Sequence, residues 1–586
     1  MGRRRLACGM AAALPAAAVV LSLGISAPFQ KDQEPQSAQW IQGIVQRGDW
    51  LIPSDDYGGI DRKPPLYYWL SALIVKAGSA GERVDEANAR IVSLVVGVLL
   101  AAAAMSWSAI FIGESTGWLA LAFVLGTYGF ASRATVDLTD MLLSLLLFGV
   151  WWCVYLLLDD GASRAIAILG GALLGLAILA KGPVAIVLIG LAGLIYVLLT
   201  RRSIRQVLAN GWPWLMLFIA LAIASCWYVP VSVAEGRLVI DVFFSENFGH
   251  FLPSAIGGTG EASRPVWYIA ERMLGGALPF SLLVPAVLVA LWRSDAEPQA
   301  REPLLFQASL VLAVLIFFSI ASAKRDDYIL PAMPGLAILF SALFSGALIS
   351  PSRGKSSACA LRNLATAAAA VGLLAVVAAA LVLARTGRSI ALSGRLQSSD
   401  ADFLRLFLDG MDRLPLPFAV FAAVSLVGAL VALAGLLKRR STWAGAGLAA
   451  MALASSTLFT GTLRPELASE RSIKTFAREI HQRVGDAPLY VAWGRDYELS
   501  FYYGRAVWGL DHGWESGHGR GRPSYVVARP ADLARIAPAI RERLKPTMRS
   551  HLIGGGGPPA LYELPGDWAG NDLNSSTNGT KRAVGR

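Results

Sequence analysis

The stretch IVSLVVGVLLAAAAMSWSAIFI, residues 91–112, decides the class of fold because it contains no charged residue. About 20 apolar residues of helix cross the roughly 30 Å hydrocarbon core of a bilayer, so this stretch predicts a transmembrane helix. The composition extends that prediction to the chain. Of 586 residues, 55% are hydrophobic and 16% are charged, and the mean hydropathy is +0.52. These values exclude a large soluble enzyme, a disordered chain and a fibrous protein.

Similar apolar stretches recur and predict about thirteen transmembrane helices within residues 1–460. The predicted fold is therefore a polytopic α-helical membrane protein. The spans are expected near residues 6–28, 89–112, 117–133, 137–158, 164–180, 183–200, 212–234, 276–293, 303–322, 328–349, 361–384, 414–438 and 442–460.

Clusters of basic residues orient these helices, because cytoplasmic loops carry an excess of Lys and Arg. With thirteen helices, all four clusters lie on one side, which predicts a cytoplasmic N-terminus and an external C-terminus. Residues 1–27 also fit a cleaved signal peptide, but the length of their apolar run favours an uncleaved anchor. The clusters are Arg3, Arg4 and Arg5; Arg201, Arg202 and Arg205; Arg353, Lys355 and Arg362; and Lys438, Arg439 and Arg440.

The net charge and the cysteines exclude two further classes. The charge of +11 arises from 52 basic and 41 acidic residues, and part of the excess belongs to cytoplasmic loops. No nucleic-acid partner is therefore predicted. The four cysteines lie in apolar or membrane-adjacent segments without metal-site spacing, so no disulfide framework is predicted.

Three hydrophilic regions are expected to face outward. Loops 29–88 and 235–275 belong to the transmembrane domain, and residues 461–569 form a small C-terminal periplasmic α/β domain. Its predicted elements are a helix over 472–484, a strand over 488–493, a strand over 524–528 and a helix over 530–544. Residues 570–586, rich in Asn, Ser, Thr and Gly, are predicted to be a disordered tail.

Ionisable residues gather at the outer ends of the predicted spans. Such groups are costly at membrane depth, so they indicate a functional site. Lys and Arg stabilise the charge on a departing phosphate, and a carboxylate accepts a proton from an attacking hydroxyl or amine. Asp137 and Asp140 are expected to share one face of a helix start, and Asp32 and Glu34 to lie on a turn. The other members are Lys63, Arg133, Lys181, Lys324, Arg325, Asp326 and Asp327.

Six motifs carry these residues, and their order is the distinctive feature. Together they resemble the integral membrane glycosyltransferases of the GT-C class, in particular bacterial lipid A aminoarabinose transferases and relatives of protein O-mannosyltransferases. The likeness is good over residues 1–340 and loose beyond. The motifs are Asp32-Gln-Glu34, Lys63-Pro-Pro-Leu-Tyr-Tyr-Trp69, Arg133 with Asp140-Met-Leu-Leu143, Gly175-Leu-Ala-Ile-Leu-Ala-Lys-Gly-Pro183, Phe243-Phe-Ser-Glu-Asn-Phe248 and Lys324-Arg-Asp-Asp-Tyr-Ile-Leu-Pro331.

This resemblance implies an inner-membrane enzyme of the cell envelope. Its active site faces the periplasm, its donor is an undecaprenyl-phosphate-linked sugar, and transfer inverts the sugar by direct displacement. Asp32 is the implied general base, with Glu34 and Asp140 supporting it or orienting the acceptor. The implied donor-phosphate ligands are Lys63, Arg133, Lys324 and Arg325. The implied substrate cleft contains Tyr67, Tyr68, Asp137, Lys181, Glu246 and Tyr328.

Three departures separate the chain from the aminoarabinose subfamily. Gln33 separates the acidic pair, Arg62 stands where an acid usually precedes Lys-Pro-Pro, and Asn247 stands where His is frequent. The last two argue against a metal site there. A divalent metal stays open as a cofactor, although no strong ligand pattern is present.

Two other functions compete with transfer. A transporter or flippase of a lipid-linked or amphiphilic substrate would favour ionisable groups near mid-membrane, whereas these lie at span ends. A scaffold without activity is disfavoured by the intact acidic and basic positions. The sequence names neither the sugar nor the acceptor, which is a lipid, a glycan or a protein, and it predicts no oligomeric state.

Overall fold

The computed structural model describes most of the chain. The described residues are 13–29, 33–60, 63–78, 83–158, 163–236, 264–293, 296–349, 357–391, 408–409, 411–492, 494–510, 524–533, 541–550 and 557–564. They form a bundle of apolar helices with a small mixed domain at one end.

The first half of the bundle contains both long apolar helices and shorter ones. The helices of this half are α1 (Ala13–Ser22), α2 (Gln33–Arg47), α3 (Leu66–Ala77), α4 (Glu86–Phe111), α5 (Glu114–Gly126), α6 (Tyr128–Ala131), α7 (Asp140–Leu157), α8 (Arg164–Lys181), α9 (Val184–Thr200), α10 (Ile204–Ala209) and α11 (Trp212–Glu235).

The second half continues the bundle and then leaves it. Its helices are α12 (Tyr268–Gly276), α13 (Val284–Trp292), α14 (Pro298–Ile320), α15 (Met333–Ser345), α16 (Ser357–Ala391), α17 (Pro415–Leu437) and α18 (Ser441–Leu458). Short 3-10 turns over Phe280–Leu283 and Asp326–Ala332 lead into α13 and α15, and a π-helical turn over Phe459–Leu463 follows α18.

In the described part of the chain, nine helices are long and apolar enough to cross a membrane. A tenth candidate is the pair formed by α12 and the helical stretch Phe280–Trp292, which are bent by 110°. All thirteen predicted spans fall on helices, but several of these helices, α1, α5 and α9 among them, have fewer than 18 residues. The predicted class, a polytopic α-helical membrane protein, is confirmed.

The C-terminal domain contains four strands, β1 (Leu489–Val491), β2 (Tyr525–Ala528), β3 (Lys545–Arg549) and β4 (Ala560–Glu563). They form one sheet in the order β1-β2-β4-β3. β1 and β2 are parallel, and β4 is antiparallel to both of its neighbours. Only two of the strands were expected. The predicted helix over 530–544 is described only over 530–533 and 541–544, because residues 534–540 lie outside the described residues. The elements are α19 (Arg464–Arg471), α20 (Lys474–Val484), β1 (Leu489–Val491), α21 (Tyr497–Tyr503), β2 (Tyr525–Ala528), α22 (Pro530–Leu533), β3 (Lys545–Arg549) and β4 (Ala560–Glu563).

The C-terminal domain packs directly on the segments between α1 and α4. The Phe29 ring lies 5.2 Å from that of Phe501, and the Phe29 N–H donates to the Tyr502 hydroxyl at 3.2 Å. The Tyr57 hydroxyl lies 2.6 Å from Ser500 Oγ and donates to the Val507 carbonyl at 2.8 Å. One hydrophobic core therefore continues from the membrane helices into this domain.

Candidate active site

A non-helical segment over residues 132–139, between α6 and α7, is the centre of the candidate site. Three distant parts of the chain hold it. The Asp137 N–H donates to Glu34 Oε1 at 3.0 Å, and Arg133 Nε donates to Asp327 Oδ1 at 2.7 Å. Arg464 Nη1 donates to the Ser132 carbonyl at 2.8 Å. These bonds satisfy polar groups that a non-helical segment would otherwise bury without partners.

Glu34 and Arg90 form a bidentate ion pair inside the protein. Arg90 Nε lies 2.9 Å from Glu34 Oε1 and Arg90 Nη2 lies 3.0 Å from Oε2. Glu34 is 0% and Arg90 1% exposed. Burial raises the pKa of Glu34, but the Arg90 guanidinium and the Asp137 N–H outweigh burial and hold the pKa below its usual value. Glu34 is thus ionised, and it lies in the first turn of α2 rather than on the expected turn.

Asp137 is a buried carboxyl group directly behind this pair. It is 0% exposed, and neither of its oxygens has a hydrogen-bond partner within hydrogen-bond geometry among the described residues. The nearby hydroxyls of Ser37 and Tyr67 favour its charged form. Burial and the charge of Glu34 raise the pKa of Asp137 to about 8. The prediction that Asp137 shares a helix face with Asp140 is wrong, because α7 begins only at Asp140.

Asp140 forms an ion pair with Lys181 at the end of two neighbouring membrane helices. α7 begins at Asp140, and α8 ends at Lys181, where Gly182 takes a φ of 88°. The Lys181 ammonium lies 4.9 Å from the centre of the Tyr328 ring. The positive charges of Lys63 and Arg325 also act on Lys181. Several predicted site residues therefore meet here, among them the Lys181 cluster of Lys63, Asp140, Lys181 and Arg325.

The segment before α15 supplies the remaining cations. Asp327 binds Arg133, as described above, while Asp326 accepts a hydrogen bond from Tyr268. Lys324 donates to the carbonyls of Arg264, at 2.9 Å, and Ala321. Burial lowers the pKa of Lys324. In this structure the Lys324 ammonium is thus bound to backbone carbonyls.

Tyr67 and Tyr68 are packing residues between α2, α3 and α4. Tyr67 is 0% exposed, and its hydroxyl lies 2.9 Å from Ser93 Oγ. The Tyr68 ring lies 5.5 Å from Trp40 in an edge-to-face contact. The predicted base Asp32 and the predicted cleft residue Glu246 lie outside the described residues.

The sequence prediction missed two buried cations, Arg90 and Arg464. Arg90 falls inside a predicted span, so its cost at membrane depth was a usable signal. Arg464 lies at the start of the C-terminal domain, and its sequence position gives no sign of its burial or of its bonds to Ser132 and Thr135. Among the described residues, no group of three or more His, Cys, Asp or Glu side chains is placed to hold a metal ion.

Comparison with solved structures tests the fold. The crystal structure of ArnT from Cupriavidus metallidurans bound to undecaprenyl phosphate matches with a TM-score of 0.71 and 22% sequence identity, over 95% of this chain and 98% of that chain. The chain has the GT-C fold. The match includes the C-terminal part, where the sequence likeness is loose, so the GT-C architecture extends over nearly the whole chain.

Sequence comparison finds similarity to one protein family and to named membrane glycosyltransferases. The family described as Dolichyl-phosphate-mannose-protein mannosyltransferase matches residues 62–229. An undecaprenyl phosphate-alpha-4-amino-4-deoxy-L-arabinose arabinosyl transferase from Pseudomonas paraeruginosa is 28% identical over 313 residues, which are 52% of this chain and 54% of that protein. A relative of the same name from Erwinia tasmaniensis is 27% identical over 379 residues, 63% of this chain and 64% of that protein.

These matches confirm the predicted resemblance to membrane glycosyltransferases. The first of these two relatives is matched over about half of its length. The matched region of the family, residues 62–229, contains Lys63, Arg133, Asp140 and Lys181.

Proposed function

We propose that this protein is a membrane glycosyltransferase that moves a sugar from an undecaprenyl-phosphate-linked donor to an acceptor. One observation carries the proposal. Positively charged residues gather at one end of the bundle, where the charges of Lys63 and Arg325 act on Lys181, the ion-pair partner of Asp140. Such a site favours a phosphate that gains charge as the sugar departs. The relatives named for undecaprenyl phosphate-linked arabinose transfer support the donor class.

The proposed reaction is a single displacement that inverts the sugar. Asp32 removes the proton from the attacking group of the acceptor, the bond from the acceptor to the sugar forms, and the bond from the sugar to the phosphate breaks. The phosphate leaves with the bonding electron pair, next to Lys63 and Arg325. Asp140 holds Lys181 in place through their ion pair.

Glu34 and Arg133 have positioning roles in this proposal. Arg90 binds both oxygens of the Glu34 carboxylate, which also accepts from the 132–139 segment. Arg133 is bound to Asp327. Both groups therefore fix the segment that leads into Asp140.

We propose that the site faces the periplasm of a bacterial inner membrane. At the opposite end of the bundle, Arg202 donates to Glu302 and to the Leu158 carbonyl at 3.3 Å. Arg202 belongs to a basic cluster of the type that favours the cytoplasmic side. This arrangement supports a cytoplasmic N-terminus and a periplasmic C-terminal domain. The acceptor belongs to one of three classes: lipid, glycan or protein.

The test is transfer by the purified full-length protein from an undecaprenyl-phosphate-linked aminoarabinose donor, followed by mass spectrometry of added envelope lipids. Lys63→Ala is expected to lower the turnover about 100-fold or more, since it removes a ligand of the developing phosphate charge. Lys76→Ala is the matched control because Lys76 is an exposed lysine 5.6 Å from the Trp50 ring at the other end of α3.

Asp32→Asn tests the general base separately and is expected to lower turnover about 100-fold to 10,000-fold. Equal turnover of the wild type and either variant would refute that residue's role. If proteoliposomes accumulate the lipid-linked sugar without forming a covalent product, the protein is a transporter and the proposal is wrong.

A further inference from the structure

A cavity separate from the candidate active site lies between the membrane domain and the C-terminal domain. Its volume is about 640 Å³, and it is formed by α2, the start of α4, α20 and the end of α21. Neither the Glu34–Arg90 pair nor the Lys181 cluster lines it. Its volume falls within the range of small-molecule sites, roughly 300 to 1,000 Å³.

One wall of this cavity is a row of amide groups. Gln39, Gln42 and Gln46 are spaced three and four residues apart on α2, so they lie on one face of that helix. Gln39 Nε2 donates to the Tyr497 carbonyl at 3.1 Å, and Gln42 Oε1 accepts from the Val84 N–H at 2.9 Å. Gln39 Oε1 also accepts from the Asp56 N–H at 3.4 Å. A carboxamide has two N–H donors and two acceptor lone pairs, so Gln39 and Gln46 keep donor and acceptor capacity, which matches the hydroxyl groups of a sugar.

Each carboxylate that lines the cavity has a partner. The carboxylate of Glu86 is bound by Lys474 and by the Tyr502 hydroxyl, and that of Asp85 accepts from the Asn88 N–H at 2.8 Å. The third, Asp56, lies 3.5 Å from Arg47 Nη1.

Two guanidinium groups of the same cavity, those of Arg83 and Arg478, have no carboxylate partner among the described residues. Arginine binds carboxylates and phosphates through paired N–H donors, so these two groups define the acidic end of a ligand. The rings of Phe501, Tyr502 and Tyr503 also line the cavity and supply an apolar surface.

We propose that this cavity binds an acidic saccharide, with its carboxylate or phosphate at Arg83 and Arg478 and its hydroxyl groups along the glutamine row of α2. The inference rests on the proposed function, because the saccharide is then part of the acceptor. It adds a binding site that is separate from the donor-phosphate cluster.

The experiment measures equilibrium binding of soluble sugars to the full-length protein in detergent by ligand-observed NMR, without a donor. Glucuronate and glucose 6-phosphate are the acidic probes, and glucose and inorganic phosphate are the separate arms. At least one acidic sugar is expected to bind at least tenfold more tightly than glucose or inorganic phosphate. Which acidic sugar binds more tightly distinguishes a carboxylate from a phosphate.

Arg478→Ala is expected to weaken that binding at least tenfold, since it removes a charge-assisted hydrogen bond. Arg478→Lys is expected to recover part of the affinity. Arg483→Ala, which removes an exposed arginine from the same helix but outside the cavity, is expected to bind like the wild type. Thermal unfolding of each variant confirms that it is folded.

Equal binding by Arg478→Ala and Arg483→Ala, or equal binding of glucose and the acidic sugars, would overturn the inference. Because no donor is present, this result is independent of transfer. Loss of transfer in Lys63→Ala together with absent sugar binding would leave the proposed function standing and reject only the cavity assignment.

Discussion

Replacement of Asp137 by Asn is expected to change how stability depends on pH. Asp137 is fully buried beside Glu34, and its pKa is raised from 3.8 to about 8. The folded protein therefore holds a proton that the unfolded chain releases. The stability that this carboxyl contributes is fully present below about pH 4, and it is lost progressively as the pH rises toward 8. The asparagine variant lacks this dependence.

The size of the effect follows from the shift. A difference of roughly 4 pKa units, at about 1.4 kcal/mol per unit, corresponds to about 6 kcal/mol over the whole interval. Between pH 5 and pH 7 the unfolding free energy of the wild type should fall by about 3 kcal/mol relative to Asp137→Asn. The unfolding free energy of Asp137→Asn relative to that of the wild type should therefore be higher at neutral and alkaline pH than at acidic pH.

The assay is unfolding in detergent micelles, followed by tryptophan fluorescence at a series of pH values for both proteins. Glu479→Gln, which removes an exposed carboxylate from α20, controls for the loss of one acid. A difference between wild type and Asp137→Asn that stays constant across the pH range would refute the reasoning. A difference of the opposite slope would show that Asp137 is ionised in the folded protein.

Three further predictions concern stability. Arg90→Leu leaves the Glu34 charge buried without its partner and should cost about 3–5 kcal/mol of unfolding free energy, while adding Glu34→Leu should recover much of it; no recovery in the double variant would contradict the pairing. Gly182→Ala should lower the stability by roughly 1–3 kcal/mol because of its φ of 88° and ψ of −168°, whereas Gly190→Ala, in the open middle of α9, should not lower it; equal thermal midpoints would argue against strain. Tyr57→Phe removes the hydroxyl bonded into the C-terminal domain and should raise the rate of proteolysis there; unchanged cleavage would show that this contact is dispensable.

The sequence predicts the membrane helices well because hydropathy reports a local property. Each predicted span overlaps a helix of the described residues, and α8 ends at Lys181, one residue beyond the predicted span over 164–180. In the C-terminal domain, sequence patterns predict α20, β1 and β2 but miss β3 and β4. β3 reads Lys-Pro-Thr-Met-Arg, which is typical of a charged edge strand and not of an apolar one, so it escapes a search for alternating hydrophobic residues.

The sequence predicted some of the residues that meet at the candidate site, but not how they pair. Glu34, Arg133 and Asp140 were expected near one another because they lie at the outer ends of spans. Their actual partners are separated from them by long stretches of chain: 56 residues for the Glu34–Arg90 pair and 194 for Arg133 with Asp327. Pattern in one sequence carries no information on such distances, and Asp137 needed the real start of α7 to be placed.

The bonds that fix the 132–139 segment have a consequence for biosynthesis. Its anchors come from residue 34, residue 327 and residue 464, near the beginning, the middle and the end of the helical bundle. A growing chain inserts its helices in order, so α6 and α7 are in the bilayer well before Arg464 is synthesised. Until then the segment lacks the hydrogen bond from Arg464 to the Ser132 carbonyl. A nascent protein thus carries a loosely held centre until the last turn of the bundle has emerged from the ribosome. Ribosome-stalled chains that end before residue 464 should therefore be cleaved in this segment far more readily than completed ones.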